Sequence, residues 1–155
     1  MKKYNLSFVS GNFFVLHPGH IRFLRFAAGI AEKLVIGVRD THPSSQYPTP
    51  SERVEALQAL NLTSEIVLIT EPLESVLQHY KPDVVVKGSE YRNLYNQELD
   101  IIKTWSGDIV YSSGDSNYSG SELLRLASLK IHRFTFQDRV NSSDATIVSL
   151  IGLSR

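Results

Sequence analysis

The sequence predicts an α/β domain, a doubly wound parallel sheet of about five strands with helices on both faces. Three observations carry this. Short runs rich in β-branched and aromatic residues recur along the chain, each bounded by polar, Gly or Pro positions, as strands buried on both faces are. Amphipathic stretches of helical length separate them. A chain of 155 residues, 42% hydrophobic and 21% charged, is enough for one compact domain and not two.

The elements follow in order. Leu6-Ser7-Phe8-Val9 is the first strand. A helix over about 18–31 comes next, apolar on most sides through Ile21, Phe23, Leu24, Phe26, Ala27, Ala28 and Ile30. One face covers the sheet, and the surplus points to a neighbouring subunit, with Arg22 and Arg25 on the solvated or interfacial side. Leu34 to Val38 is the second strand. Arg39 to Thr49, with Pro43, Ser44, Ser45 and Pro48, is the longest irregular stretch and lies where open α/β sheets place ligands. Helices over about 50–60, 72–79, 93–104 and 119–129 alternate with strands at Ile66–Ile69, Val84–Val86 and Ile109–Tyr111. Parallel strands need crossovers and crossovers are right-handed, so the sheet is Rossmann-like. There the alternation stops, dividing a domain at residues 1–129 from an extension at 130–155 that ends in an apolar helix, Ala145 to Leu153. The extension reads as a helix packed on the domain or on a twin subunit; a junction to another module is the alternative.

Composition narrows the function. Sixteen basic against 16 acidic residues give zero net charge, which argues against nucleic acid or an anionic membrane as partner. The absence of cysteine removes thiol catalysis, thiolate zinc sites and disulfides. The start, Met1 to Leu6, lacks the apolar core of a signal peptide, and no apolar run approaches the roughly 18 residues that span a bilayer. A soluble, cytoplasmic domain is expected.

The chemistry lies in Ser10-Gly11-Asn12-Phe13-Phe14-Val15-Leu16-His17-Pro18-Gly19-His20, between the first strand and first helix. Gly11 lets the backbone turn tightly and approach a ligand. Pro18 suits the first helical position, leaving the Gly19 and His20 amides expected to point, unpaired, at an anion. His17 and His20, three apart, share one face of the first turn and converge on that anion. An imidazole there can stabilise charge growing on a phosphoryl group. Two histidines could instead cap the helix or bind a metal, but a metal lacks a third ligand nearby and neutral imidazoles favour ions softer than magnesium.

The segment resembles the Gly-x-Phe-Asp-x-x-His-x-Gly-His signature of the cytidylyltransferase-like nucleotidyltransferases, and the resemblance runs over about residues 5–127. It is strongest to the adenylyltransferase domain of bifunctional ADP-heptose synthases, with glycerol-3-phosphate cytidylyltransferases next. Lys81-Pro82-Asp83-Val84-Val85-Val86-Lys87-Gly88-Ser89-Glu90-Tyr91 is similar to the heptose enzymes' Pro-Asp-x-x-Val-Lys-Gly-Gly-Asp-Tyr stretch. Ser113 to Ser121 falls where the family has Ile-Ser-Thr-Thr, and Arg53 matches an arginine beginning the second helix.

The resemblance implies transfer of a nucleoside monophosphate from ATP or CTP to a phosphorylated sugar or polyol, with magnesium on the triphosphate and pyrophosphate released. It implies His17 and His20 as catalytic, and Gly11, Asn12, Phe13, Gly19, Lys87, Gly88, Ser116, Tyr118, Ser119 and Ser121 as nucleotide-binding. Ser119-Gly120-Ser121-Glu122 also has capping-box spacing. Relatives are commonly dimers, so a homodimer is expected, and the Lys-Gly-Ser-Glu-Tyr stretch favours adenine.

Two departures stand out. The family's Asp is Phe14 here, so packing must hold the loop. No lysine lies between Val38 and Arg53, which leaves Arg39, His42 and Arg53 to bind the acceptor phosphate. Both departures motivate a second reading, a nucleotide-binding module with weak or lost turnover. An aminoacyl-tRNA synthetase fragment fails on size, neutral charge and the missing lysine-rich signature. A scaffold would leave two phosphate-ready helix starts without a purpose.

Overall fold

The computed structural model describes residues 2–63 and 65–112. Five strands form one parallel sheet: β1 (Tyr4–Gly11), β2 (Ala31–Arg39), β3 (Glu65–Ile69), β4 (Val84–Gly88) and β5 (Asp108–Ser112), in the order β3-β2-β1-β4-β5. Helices α1 (Pro18–Ile30), α2 (Pro50–Gln58), α3 (Leu73–Tyr80) and α4 (Gln97–Ile102) supply the crossovers. The expected fold class and the five expected strands are all present. The predicted helix at 119–129 and the extension at 130–155 lie outside the described residues.

Alternation along each strand builds two cores, one per face. Val9, Leu34, Ile36, Val38, Val84 and Val86 pack on one side with Leu24 and Ala27 of α1 and Leu57 of α2. Phe8, Val35 and Val85 pack on the other with Val76 and Leu77 of α3 and Ile102 of α4. Central strands covered on both faces explain the near-continuous apolar runs. The Asp83 carboxylate accepts from the Asn5 and Leu6 amides at 3.0 and 2.8 Å, clamping the start of β1 to β4. Buried Ser7 donates its hydroxyl to the Ala27 carbonyl at 2.9 Å, tying α1 to the sheet. The connections leave β1 in opposite directions, so the sheet's topological switch point falls between β1 and β4.

The helix expected over 93–104 is shorter. Asn96 is extended, and its amide donates to the Tyr91 and Leu94 carbonyls at 3.2 and 2.8 Å, folding the chain back until Gln97. At the other end a 3-10 turn, Lys103–Trp105, and left-handed Ser106 (φ 64°) stop the helix early. On α1, Phe26 is exposed and Ile21, Phe23 and Ile30 are half-buried, while Arg22 and Arg25 lie on the exposed side as expected. Among the described residues no helix is long and apolar enough to cross a membrane.

Candidate functional site

The segment joining β1 to α1 leaves the sheet at the switch point. A side chain on Gly11 would come 3.1 Å from the Phe13 ring, so glycine here lets that ring fold back over the strand end. Phe13 takes a left-handed backbone (φ 50°), which costs a non-glycine residue about 1–2 kcal/mol. Its buried ring meets His20 edge-on, centroids 5.4 Å apart. Phe14 is also buried, with the Arg53 guanidinium 5.0 Å from its ring centroid and the Tyr47 ring 4.8 Å away. Packing thus holds the loop at Phe14, as the sequence led us to expect, and a cation–π contact with Arg53 adds to it.

His17 is the N-cap of α1, and Pro18 fills the first helical position. The His17 Nδ1 accepts from the Gly19 amide at 3.1 Å, which puts the ring proton on Nε2. That Nε2 is buried and has no hydrogen-bond partner among the described residues. His20 uses its Nδ1 the opposite way, donating to the Val15 carbonyl at 3.0 Å, so its Nε2 carries a lone pair. The two rings stack with centroids 4.0 Å apart. Burial, with Arg22 adding to it, holds the His17 pKa below the usual value. Burial and the His17 ring push His20 down to about 4, the bond to Val15 opposing them. Both rings are neutral at pH 7. An anion arriving beside them would favour their protonated forms and turn His20 into a second donor.

One expectation is corrected here. The Gly19 amide is not free for an anion, because the His17 ring takes it; the donor left over is the ring's other nitrogen, itself buried. Both histidines are drawn back from solvent: His17 is 8% exposed and His20 half-buried.

Arg53 is corrected more sharply. It is 1% exposed and presents no open guanidinium to an acceptor. Nη1 donates to the Asn12 and Arg39 carbonyls at 2.6 and 3.1 Å, Nη2 to Thr41 and Nε to Thr49 at 3.4 Å. Its own helix start is held by a Thr49–Glu52 capping box, for which Thr-Pro-Ser-Glu is the local sequence signal. Arg39, His42 and Asn12 are exposed on the same two loops. The Asn12 side-chain oxygen accepts from the Thr41 hydroxyl at 3.0 Å, and His42 Nε2 donates to the Tyr47 carbonyl at 2.9 Å.

Lys87 lies at the end of β4 as expected, half-buried, but its ammonium is bonded to Glu98 at 2.9 Å and sits 5.1 Å from the Tyr91 ring centroid. No local signal in the sequence pairs these residues. A side chain on Gly88 would collide with the Glu90 carboxylate, which folds back over it. Ser116, Tyr118, Ser119 and Ser121 lie outside the described residues. Among the described residues no group of three or more His, Asp or Glu is placed to hold a metal ion.

The profile of the family described as "Cytidylyltransferase-like" matches residues 8–145. The "Bifunctional protein HldE" of Paramagnetospirillum magneticum is 33% identical over 118 residues, covering 70% of this chain and 24% of that protein. Its namesake in Gluconobacter oxydans is 30% identical over 127 residues, covering 76% and 26%. The chain therefore spans about a quarter of the length of these curated relatives. Among solved structures, a lipopolysaccharide core biosynthesis protein from Thermoplasma volcanium superposes with a TM-score of 0.60 at 22% identity, covering 73% of this chain and 99% of that one. A bifunctional NMN adenylyltransferase/ADP ribose pyrophosphatase from Francisella tularensis gives 0.58 at 16% identity, covering 97% and 49%. These two likenesses concern the fold.

Proposed function

This chain belongs to the cytidylyltransferase-like family, and on that premise we propose that it is a nucleotidyltransferase acting on ATP or CTP and a sugar phosphate of the heptose-1-phosphate kind. A phosphate oxygen of the acceptor attacks the α-phosphorus, the bond from that phosphorus to the bridging oxygen breaks, and pyrophosphate leaves with the electron pair. The observation that carries the reading is the buried Nε2–H of His17, without a partner among the described residues, beside the His20 ring at the switch point. A preorganised donor in a desolvated place stabilises charge that grows on a phosphoryl group. Magnesium would enter with the triphosphate, its ligands phosphate oxygens. A homodimer in the cytoplasm belongs to the same reading.

The glycerol-3-phosphate type of acceptor is the nearest variant of this proposal. A binding module with lost turnover is the second reading, favoured by the engagement of Arg53 with backbone and of Lys87 with Glu98. One assay separates all three: pyrophosphate release from ATP or CTP with magnesium, across sugar 1-phosphates and glycerol 3-phosphate. Release with ATP and a sugar 1-phosphate is expected. Thermal stabilisation by a triphosphate with no release for any acceptor would leave the binding module standing.

Lys87 supplies a subsidiary test. Glu98→Gln frees the ammonium and removes a carboxylate from its side, so triphosphate affinity should rise roughly two- to fivefold, the scale of one partly solvated ion pair. Unchanged affinity in a direct titration would remove Lys87 from the nucleotide site.

A further inference from the structure

We propose that Arg53 is a positioning residue that sets the geometry of His17 and His20, and not a ligand of the acceptor phosphate. The proposal rests on the nucleotidyltransferase reading and assigns a role within it. Arg53 lies in the first turn of α2, yet its guanidinium reaches three carbonyls on two other stretches of backbone: Asn12 after β1, and Arg39 and Thr41 at and just beyond the end of β2. Four of its five N–H groups are directed to carbonyls, counting the bond to Thr49. Little is left for a substrate.

The Asn12 carbonyl is the telling contact, because Phe13 follows it. A left-handed phenylalanine persists only where its surroundings over-determine it, and Arg53 fixes the peptide immediately before it. The next three residues each transmit that placement. Phe13 lays its ring against His20, Phe14 lays its ring under the guanidinium itself, and Val15 presents the carbonyl that holds His20 Nδ1. His20 in turn stacks on His17. Arg53 thus acts on the imidazoles through the loop without touching either. Its planar fork is suited to this role, because a single lysine ammonium cannot meet carbonyls spread across both of these segments at once. Burial lowers the Arg53 pKa and Asp40 counters it, so the group remains a cation.

Arg53→Lys tests the proposal in the full chain. Turnover should fall about 10–100-fold, the scale of a reacting group displaced by an ångström or less, while KM for both substrates stays within about twofold. The ring-nitrogen NMR spectrum of the ligand-free variant should show His20 losing its single Nδ1–H tautomer for a mixture. A tenfold rise in acceptor KM with turnover intact would instead make Arg53 a ligand and overturn the proposal. So would a lower melting temperature with turnover and His20 tautomer unchanged, which marks a merely structural role. Should the variant fail to fold, the unmodified protein decides. Its Arg53 Nε–H resonance should be sharp and slowly exchanging without ligand, and unmoved by saturating inorganic pyrophosphate; a broad signal that appears or shifts only with pyrophosphate overturns the proposal. These spectra need no turnover, so a protein that releases no pyrophosphate yet loses its His20 tautomer in Arg53→Lys upholds the positioning role and sinks the reaction.

Discussion

His17→Ala is expected to lower the turnover of pyrophosphate release by about 10²–10³-fold and the stability of the fold by about 1 kcal/mol. The two losses come from opposite sides of one ring. Nε2–H is the preorganised donor, and deleting one such donor from a site that stabilises developing charge costs about 2.7–4 kcal/mol in the transition state. Nδ1 caps α1 by accepting from the Gly19 amide, and losing an N-cap costs about 0.5–2 kcal/mol. His17→Asn separates them. Its side-chain oxygen can accept from the same amide, so stability should return toward the parent value, whereas no ring N–H is restored and turnover should stay low. Steady-state kinetics beside urea unfolding of the three proteins reads both effects. Recovery of turnover in His17→Asn would mean that the histidine serves the helix and not the phosphates.

The dual use of His17 marks the boundary of what local sequence reveals. Pro18 at the first helical position already places His17 at the N-cap, so the cap was legible; that the cap consumes the Gly19 amide and leaves the other ring nitrogen as the spare donor was not. The strands were legible because residues such as Val84-Val85-Val86 face two cores and must be apolar throughout. The start of α4 was not. Leu94 and Tyr95 continue a helix-like pattern but are 59% and 82% exposed, because the Asn96 side chain competes with the helix for backbone carbonyls. Arg53 misleads for a related reason. A cation at a helix start near the strand ends looks like a phosphate ligand, and nothing local tells that backbone carbonyls from two other stretches converge on it. The packing role of Phe14 was legible, since an apolar ring in this place cannot hold the loop as a carboxylate would; its contact with the Arg53 guanidinium was not.

Acid should destabilise the protein through His20 before the carboxylates matter. In the unfolded chain this imidazole titrates near the ordinary histidine value of about 6.5, whereas in the native protein burial and the His17 ring push it down to about 4. Between those limits the unfolded state binds a proton that the native state refuses. Stability is therefore complete above about pH 6.5 and declines as the pH falls toward 4, by about 2–3 kcal/mol in all. His17, also lowered, adds to the same slope. Glu52 cannot mimic it: bonds to the Thr49 amide and hydroxyl lower its pKa, so its contribution is present above the unfolded carboxylate value of 4.5 and is lost only below that. Urea midpoints for the parent and His20→Gln between pH 7.5 and 5 isolate the histidine, and the parent should lose stability the more steeply. Equal slopes would mean that His20 accepts its proton freely in the native state. Inorganic pyrophosphate at pH 5.5 adds a second readout, because an anion against these rings restores their affinity for protons. Its binding should take up protons, measurable as a buffer-dependent heat, and the uptake should shrink in His20→Gln.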